Sequence, residues 1–167
     1  MKKFIILSLT SLIIGISFYS GTMFNSNTDI ETQPKQIKYN MIGYYMDEER
    51  DYNSEAREIQ SIYRTNMSTS KIKHLLIYID GIAKEYDVNY NLIKAVITTE
   101  SSWNVKARSR VNALGLMQVM KACAKDFKTP HSEMYDPYIN VTVGTMYLSK
   151  LLKQFPDVET ALVAYNE

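Results

Sequence analysis

Apolar residues recur at intervals of three and four along the C-terminal part of the chain, and this spacing predicts helices. Residues 72–86 are the clearest example, with one apolar face made by Ile72, Leu75, Leu76, Ile79, Ile82 and Ala83. Residues 91–99 repeat the pattern through Ile93, Val96 and Ile97. Positions i, i+3, i+4 and i+7 lie on one side of an α-helix, so each segment presents one face to a core. Asn89 or Asn91 is a suitable N-cap for the second helix.

Further helices are predicted downstream. A short one is expected over residues 116–127, because the following Lys-Thr-Pro sequence is a stop signal. Asp136 followed by Pro137 is a favoured helix start and predicts a helix to about residue 152. Its buried side is expected to carry Ile139, Val143, Met146, Tyr147 and Leu151. A last helix is expected from near Asp157 to Glu167.

The N-terminal third has a different pattern. Residues 1–24 begin with two lysines and an apolar run over residues 4–19, which is shorter than a bilayer span and is typical of a signal peptide. The alternative is an uncleaved N-terminal anchor. Residues 25–69 are expected to form a polar, tyrosine-rich linker or extension that either docks on the domain or reaches a partner, with an acidic, solvated helix over residues 47–63. Residues 70–167 then form a single domain, and no segment alternates as a half-buried strand does. The predicted fold class is therefore all-α.

Composition excludes several function classes. A net charge of +1 over 167 residues gives no basic surface typical of nucleic-acid binding, and no glycine-rich phosphate loop is present. Cys123 is the only cysteine, so no intramolecular disulfide forms. His74, His131 and Cys123 lack the spacing of metal ligands, so no metal site is predicted.

Glu100 is the first candidate for chemistry. It continues the apolar stripe of the helix over residues 91–99, at i+7 from Ile93. Burial favours the protonated form of a carboxyl group, and a protonated carboxylic acid at neutral pH is a general acid. The alternative is a frayed helix end at which Glu100 faces water. Ser101 and Ser102 favour departure from the helix at this point.

Two neighbours of Glu100 have two interpretations each. Trp103 is the only tryptophan, and its ring either excludes water from the acid, stacks on a sugar, or packs in the core. Gln118 is a polar residue in an apolar run, and it either hydrogen-bonds a ligand or faces solvent on an amphipathic helix.

The segment 100–118 resembles the first motif of the soluble-lytic-transglycosylase (SLT, goose-lysozyme-like) family, which reads roughly E-S-x-[FY]-N-P-x-A-x-S-x-x-G-A-x-G-L-M-Q. The residues in register are Glu100, Ser101, Trp103, Asn104, Ala107, Ser109, Ala113, Gly115, Leu116, Met117 and Gln118. Two later motifs are similar to the family's D-P-x-x-N…G…Y-L and A-Y-N, and consist of Asp136, Pro137, Asn140, Gly144, Tyr147, Leu148, Ala164, Tyr165 and Asn166.

Three positions depart from the family pattern. Val105 replaces a proline, and Asn112 replaces a glycine at a position where asparagine tolerates a positive φ. Lys121 replaces the proline after G-L-M-Q-I-M and is expected to lengthen the helix over residues 116–127. The family also continues beyond A-Y-N, so the domain is expected to be truncated at its C-terminus, with closure of the groove in doubt.

The resemblance implies a lysozyme-like helical fold and a peptidoglycan lytic transglycosylase. Glu100 would protonate the oxygen between N-acetylmuramic acid and N-acetylglucosamine, then accept the proton of the muramyl 6-hydroxyl, which closes a 1,6-anhydro ring. Ser109, Met117, Gln118 and Tyr165 would line the groove. The resemblance implies no cofactor. It implies peptidoglycan strands as partners, and an exported protein of the periplasm or cell wall, anchored or free. A cell-envelope secretion or conjugation apparatus is expected as a further partner, and the membrane is expected to contact only the N-terminal segment.

Two other functions stay open. One is a lysozyme-like hydrolase of the same bond, which requires a positioned water and a second carboxylate. The other is a non-catalytic, wall-binding scaffold. Lys106, Arg108 and Arg110 form a basic rim beside the loop, either for an anionic wall polymer or simply as a solvated loop.

Overall fold

The computed structural model describes residues 50–167. The predictions for residues 1–24, and for residues 25–49 of the extension, lie outside this range. Six α-helices and one 3-10 helix are present in the described part: α1 Tyr52–Tyr63, α2 Thr69–Tyr86, α3 Tyr90–Ser101, α4 Lys121–Asp126, the 3-10 helix His131–Tyr135, α5 Pro137–Gln154 and α6 Val158–Asn166. Residues 50–167 contain no strand, only two isolated bridges. The all-α prediction is confirmed.

Side-chain caps explain where most of these helices begin. Asp136 Oδ1 accepts the backbone N–H groups of Tyr138 and Ile139 at 2.9 and 3.2 Å, with Pro137 in the first turn of α5. Asn89 caps α3 in the same way, through the N–H groups of Asn91 and Leu92. Such caps satisfy N–H groups that have no partner inside the helix. Both helix starts follow the sequence prediction.

Helix α2 is the centre of the core. The pattern predicted one apolar face, but residues 75–83 are all buried, including Tyr78, Asp80 and Gly81. The reason is that α1, α3 and α5 each pack against α2, so it has no side left for solvent. Tyr78 satisfies its hydroxyl through a 2.7 Å hydrogen bond with Thr142 of α5. The chain therefore surrounds one helix, as a helix apolar on all sides requires.

Helix α1 packs against the rest of the described structure and is not a solvated helix. Tyr52, Ala56 and Ile59 are buried, and the helix packs against α2. Its Glu55 accepts a 2.9 Å hydrogen bond from Tyr90 and pairs with Lys94 of α3. The prediction of a solvated helix over residues 47–63 was therefore wrong about solvation. The division of the chain at residue 70 stays a prediction.

The prediction of a helix over residues 116–127 was also wrong for the first half of that range. Residues 115–118 form a turn, closed by mutual backbone hydrogen bonds of 3.1 and 2.9 Å between Leu114 and Val119. Gly115 and Gln118 have positive φ angles of 75° and 48°, which end any helical path. Helix α4 begins only at Lys121, so this residue starts the helix and does not lengthen it.

Helix α5 runs two residues further than predicted, to Gln154. Ile139, Val143 and Leu151 are buried as expected, but Met146 and Tyr147 are only half-buried. Across residues 50–167, no helix has both the length and the apolar character that a membrane span requires.

Candidate active site

Glu100 lies in the last turn of α3 and is half-buried. Within residues 50–167 its carboxyl group makes no side-chain hydrogen bond and no ion pair. Burial raises the pKa of Glu100 above its ordinary value, because the surrounding protein disfavours the charged form. An unpaired carboxyl group that holds its proton is suited to proton donation.

The raised pKa of Glu100 predicts a pH-dependent gain in stability on substitution. The contribution of this carboxyl group to folding is fully present below its unfolded pKa of about 4.3. It is lost as pH rises through the higher folded value. Glu100→Gln is therefore expected to have a larger free energy of unfolding than the parent at neutral pH, and an equal one below pH about 4. Urea unfolding at both pH values tests this, with the exposed Glu58→Gln as control. An equal difference at both pH values would show that ionisation of Glu100 is not the cause.

Two consecutive residues with positive φ turn the chain away from α3 directly after the acid. Ser102 and Trp103 have φ angles of 48° and 64°. Trp103 is 1% exposed, and its indole Nε1 donates to Thr98 Oγ1 at 3.0 Å. Its carbonyl accepts the hydroxyl of Thr65 at 2.7 Å, which joins the loop to the segment between α1 and α2. Trp103 therefore packs in the core and offers no face to a sugar.

The loop after Trp103 is held by its own hydrogen bonds. The backbone N–H groups of Ala107 and Lys106 donate to the backbone oxygen and the Oδ1 of Asn104, each at 3.0 Å. Ser109 Oγ accepts the N–H of Ala113 at 3.0 Å, so its side chain shapes the turn over residues 109–113. Asn112 has a φ of 70°, the positive value that was expected at this position, where the family has glycine. No hydrogen bond joins Ser109 to Glu100.

Asn140 of α5 fixes the turn over residues 115–118. Its side chain is fully buried, and its Oδ1 accepts the N–H of Met117 at 2.7 Å. Its Nδ2 donates to the carbonyls of Leu114 and Met134 at 2.8 and 2.9 Å. The buried amide of Asn140 thus makes three hydrogen bonds, and all three are to backbone groups.

Two glycines allow the turn to approach α5 this closely. A Cβ on Gly115 would lie 2.2 Å from the carbonyl oxygen of Met134 and 2.4 Å from Asn140 Nδ2. A Cβ on Gly144 would lie 2.6 Å from the sulfur of Met117. Met117 is fully buried as a result. Its side chain supports the turn from inside, and only its backbone is available to the site.

Tyr165 of α6 joins the turn to the acid. Its hydroxyl donates to the carbonyl of Met117 at 2.9 Å, and its ring lies 5.4 Å from that of Tyr147. Burial, with smaller effects of Cys123 and Glu100, raises the pKa of Tyr165 well above its ordinary value. The hydroxyl therefore stays protonated and uses its proton on Met117, which leaves its oxygen as an acceptor near Glu100.

Gln118 completes the set of predicted site residues. It is half-buried, and its Nε2 donates to the carbonyl of Gly115 at 2.9 Å. The structure thus brings Tyr165 and the turn of Gln118 to one region with Glu100, whereas Ser109 serves its own loop. Sequence reasoning missed the clamp made by Asn140, although the residue stands in a quoted motif. It also missed Thr65, for which the sequence holds no signal.

Titratable groups outside this region form no metal site. Across residues 50–167 no group of three or more histidine, cysteine, aspartate or glutamate side chains is arranged to hold an ion. His131 interacts with the carbonyl of Val119 at 3.1 Å. Burial raises the pKa of the Cys123 thiol to about 11.

Comparison with known families accounts for this arrangement. Residues 77–167 match the sequence profile of the transglycosylase SLT domain. The chain belongs to this family. The SLT profile includes Glu100, the loop after Trp103, the turn over residues 115–118 and Tyr165. It does not include α1 or Thr65.

Individual SLT relatives agree with the profile. The chain is 39% identical over 88 residues to a transglycosylase of Enterobacteria phage PRD1, which covers 53% of this chain and 32% of the phage protein. It is 37% identical over 86 residues to membrane-bound lytic murein transglycosylase E of Buchnera aphidicola, covering 46% of this chain and 39% of that protein.

A solved structure shares the fold of the SLT domain. The 70 kDa soluble lytic transglycosylase of Escherichia coli superposes with a TM-score of 0.51 at 21% identity, over 84% of this chain and 24% of that one. The chain therefore spans between 24% and 39% of the length of these three relatives.

Proposed function

We propose that this protein is a peptidoglycan lytic transglycosylase. It would cleave the β-1,4 bond between N-acetylmuramic acid and N-acetylglucosamine and leave a 1,6-anhydromuramic acid end. The observation that carries the proposal is Glu100, a half-buried carboxyl group with a raised pKa and no protein partner within residues 50–167. Its place at the end of α3, in the family's first motif, is where an acid is needed.

The reaction uses one carboxyl group twice. Protonated Glu100 donates its proton to the bridging oxygen, and the bond from that oxygen to the muramyl anomeric carbon breaks. The muramyl 6-hydroxyl oxygen forms a bond to the same carbon, and its proton passes to the Glu100 carboxylate. Glu100 thus ends the reaction protonated again, with the proton of the 6-hydroxyl, and no water is consumed. The developing positive charge at the anomeric carbon is lowest in energy when the carboxylate faces it.

Residues of the predicted site have polar groups left for the acid and for the sugar. Tyr165 uses its proton on Met117, which leaves its oxygen as an acceptor near Glu100. Gln118 has an amide oxygen without a partner in residues 50–167, and it suits an N–H or hydroxyl group of the sugar. Ser109 keeps its hydroxyl proton for an acetamido oxygen while its Oγ holds the loop.

The names of the relatives support the substrate and the location. Two of the compared proteins are called lytic transglycosylases, one of them membrane-bound and acting on murein. We therefore propose that the chain works in the cell envelope, exported through residues 1–24 and either released or anchored by residues 4–19. A secretion or conjugation apparatus in the envelope is its proposed assembly partner.

No observation favours the other two candidates. A lysozyme-like hydrolase needs a second carboxylate, and the pKa of Glu100 is raised by burial without a contribution from another carboxylate. A non-catalytic scaffold has no need of a buried acid, which costs folding free energy when it ionises.

Digestion of purified peptidoglycan by the full chain tests the proposal. Soluble fragments are expected from the parent and from Glu58→Gln, and none from Glu100→Gln. Mass spectrometry is expected to find fragment ends one water lighter than hydrolysis products. Release of reducing ends alone would replace the lyase by the hydrolase, and no release by the folded parent would favour the scaffold.

A further inference from the structure

Positive charge is concentrated in the segment that carries the site. Residues 101–125 contain five cations and no carboxylate, so this stretch has a net charge of +5. The whole chain has a net charge of +1, and the remaining residues therefore carry −4. The cations of the segment are Lys106, Arg108, Arg110, Lys121 and Lys125. A local excess of one sign raises the concentration of oppositely charged ligands near a cleft.

Three of these cations point away from the protein on one loop. Lys106, Arg108 and Arg110 are exposed, whereas the residues between and before them at 105, 107 and 109 are half-buried. This alternation places the three cationic side chains on the solvent side of the loop. Within residues 50–167 none of the three forms an ion pair. We call this set the basic edge.

The backbone beneath the basic edge is fixed. Arg108 forms a bridge with Leu114, which pairs in turn with Val119, so the loop is attached to the turn of Gln118. The N–H of Gly115 donates to the carbonyl of Ala107 at 2.9 Å. A fixed backbone lowers the conformational entropy lost when a charged side chain meets its partner.

We propose that the basic edge binds carboxylate groups of the peptide stems that a peptidoglycan strand carries beside its sugars. This inference rests on the proposed function, since it names the part of the same substrate that meets this surface. Carboxylates are the complementary ligands for guanidinium and ammonium groups, and arginine matches them in bidentate geometry. In a strand that bears stems the muramyl carboxyl group is tied up in an amide, so the sugars themselves are neutral. The basic edge therefore selects strands with free stem carboxylates over strands whose stem carboxylates are blocked.

Binding of glycan strands to the full chain tests this inference. All measurements use the Glu100→Gln background, so that no strand is cut. One variant combines Lys106→Gln, Arg108→Gln and Arg110→Gln. Its matched control combines Arg57→Gln, Lys71→Gln and Lys153→Gln, which removes the same charge from exposed positions on α1, α2 and α5. Each is measured with stem-bearing strands and with the same strands after their stem carboxylates have been converted to neutral amides, at low and high salt.

The expected result is about 10-fold weaker binding of stem-bearing strands by the basic-edge variant, because three exposed pairs are lost. The control variant is expected to bind both kinds of strand as the background does. Strands with amidated stems are expected to bind equally well to the basic-edge variant and to the control. High salt should remove the difference. Equal binding of stem-bearing strands by the two variants, or an equal loss on strands with amidated stems, would overturn the inference.

Two further measurements separate the sources of failure. The first is binding to anionic lipid vesicles. If the basic-edge variant loses binding to vesicles but binds strands as the background does, the basic edge contacts a membrane surface and the stem proposal is overturned. The parent with Glu100 intact is tested for cleavage in parallel. If the parent cleaves peptidoglycan and the basic-edge variant binds strands as well as the control does, this inference alone is refuted. If the folded parent does not cleave, the proposed function is refuted.

Discussion

Glu100→Gln is expected to lower the rate of peptidoglycan cleavage by about 1000-fold or more. A general acid contributes typically 10²- to 10⁴-fold, and here the same group also serves as the base. Glutamine has nearly the same shape, and Glu100 makes no hydrogen bond or ion pair within residues 50–167 that the change would break. Folding is therefore expected to be intact, and to be slightly favoured at neutral pH. Release of soluble fragments from peptidoglycan measures the rate.

Glu58→Gln is the matched control for this result. It removes an exposed carboxylate from α1, on a different element from the acid. Its cleavage rate is expected to equal that of the parent. Persistent cleavage by a well-folded Glu100→Gln protein would mean that the proton comes from another group, and the proposed mechanism would fail.

Asn140→Ala is expected to lower the free energy of unfolding by about 3–5 kcal/mol. The substitution removes three hydrogen bonds at once and takes this partner from the N–H of Met117 and the carbonyl of Met134. The carbonyl of Leu114 loses one of its two hydrogen bonds and keeps the one from the N–H of Val119. Each buried polar group left unsatisfied costs about 1–3 kcal/mol. Thermal and urea unfolding of the full chain measure the loss.

Ser149→Ala is the control for this result. It shows how much stability is lost when another buried polar side chain of α5 is removed. Ser149 is buried on the same helix, and its hydroxyl donates one hydrogen bond, to the carbonyl of Tyr86 at 2.8 Å. Its loss is expected to cost only about 1 kcal/mol. Similar losses for the two variants would show that Asn140 does not hold the turn as described.

The clamp also connects α5 to the acid. Asn140 binds the N–H of Met117, and the carbonyl of Met117 accepts the hydroxyl of Tyr165. Movement of the turn is therefore expected to move the hydroxyl of Tyr165, which lies near Glu100. Folded Asn140→Ala at low temperature is expected to cleave more slowly than Ser149→Ala under the same conditions.

Local patterns were sufficient to predict the helices that carry the site. Helices α2 and α3 follow the spacing of their apolar residues, and α5 begins at the cap that Asp136 and Pro137 predicted. Glu100 lies at the end of α3 because the stripe that begins at Ile93 continues to it. These features depend on residues close together in sequence, which a pattern can read.

The turn over residues 115–118 shows where the pattern was insufficient. Leu116, Met117 and Val119 form a short apolar run, which is compatible with a buried helix or a buried turn. The outcome depends on Asn140 and on the close approach to Gly144, both of which come from a distant helix. Trp103 is similar, since its buried position depends on Thr65, which lies 38 residues earlier.

Digestion in water labelled with ¹⁸O tests the central claim most directly. If the muramyl 6-hydroxyl attacks the anomeric carbon, the new ends are one water lighter than hydrolysis products and carry no ¹⁸O. The mechanism built on Glu100 predicts this result for the parent, and no new ends for Glu100→Gln. Reducing ends that carry one ¹⁸O each would show that water is the nucleophile, and would contradict the lytic transglycosylase assignment while leaving the fold unchanged.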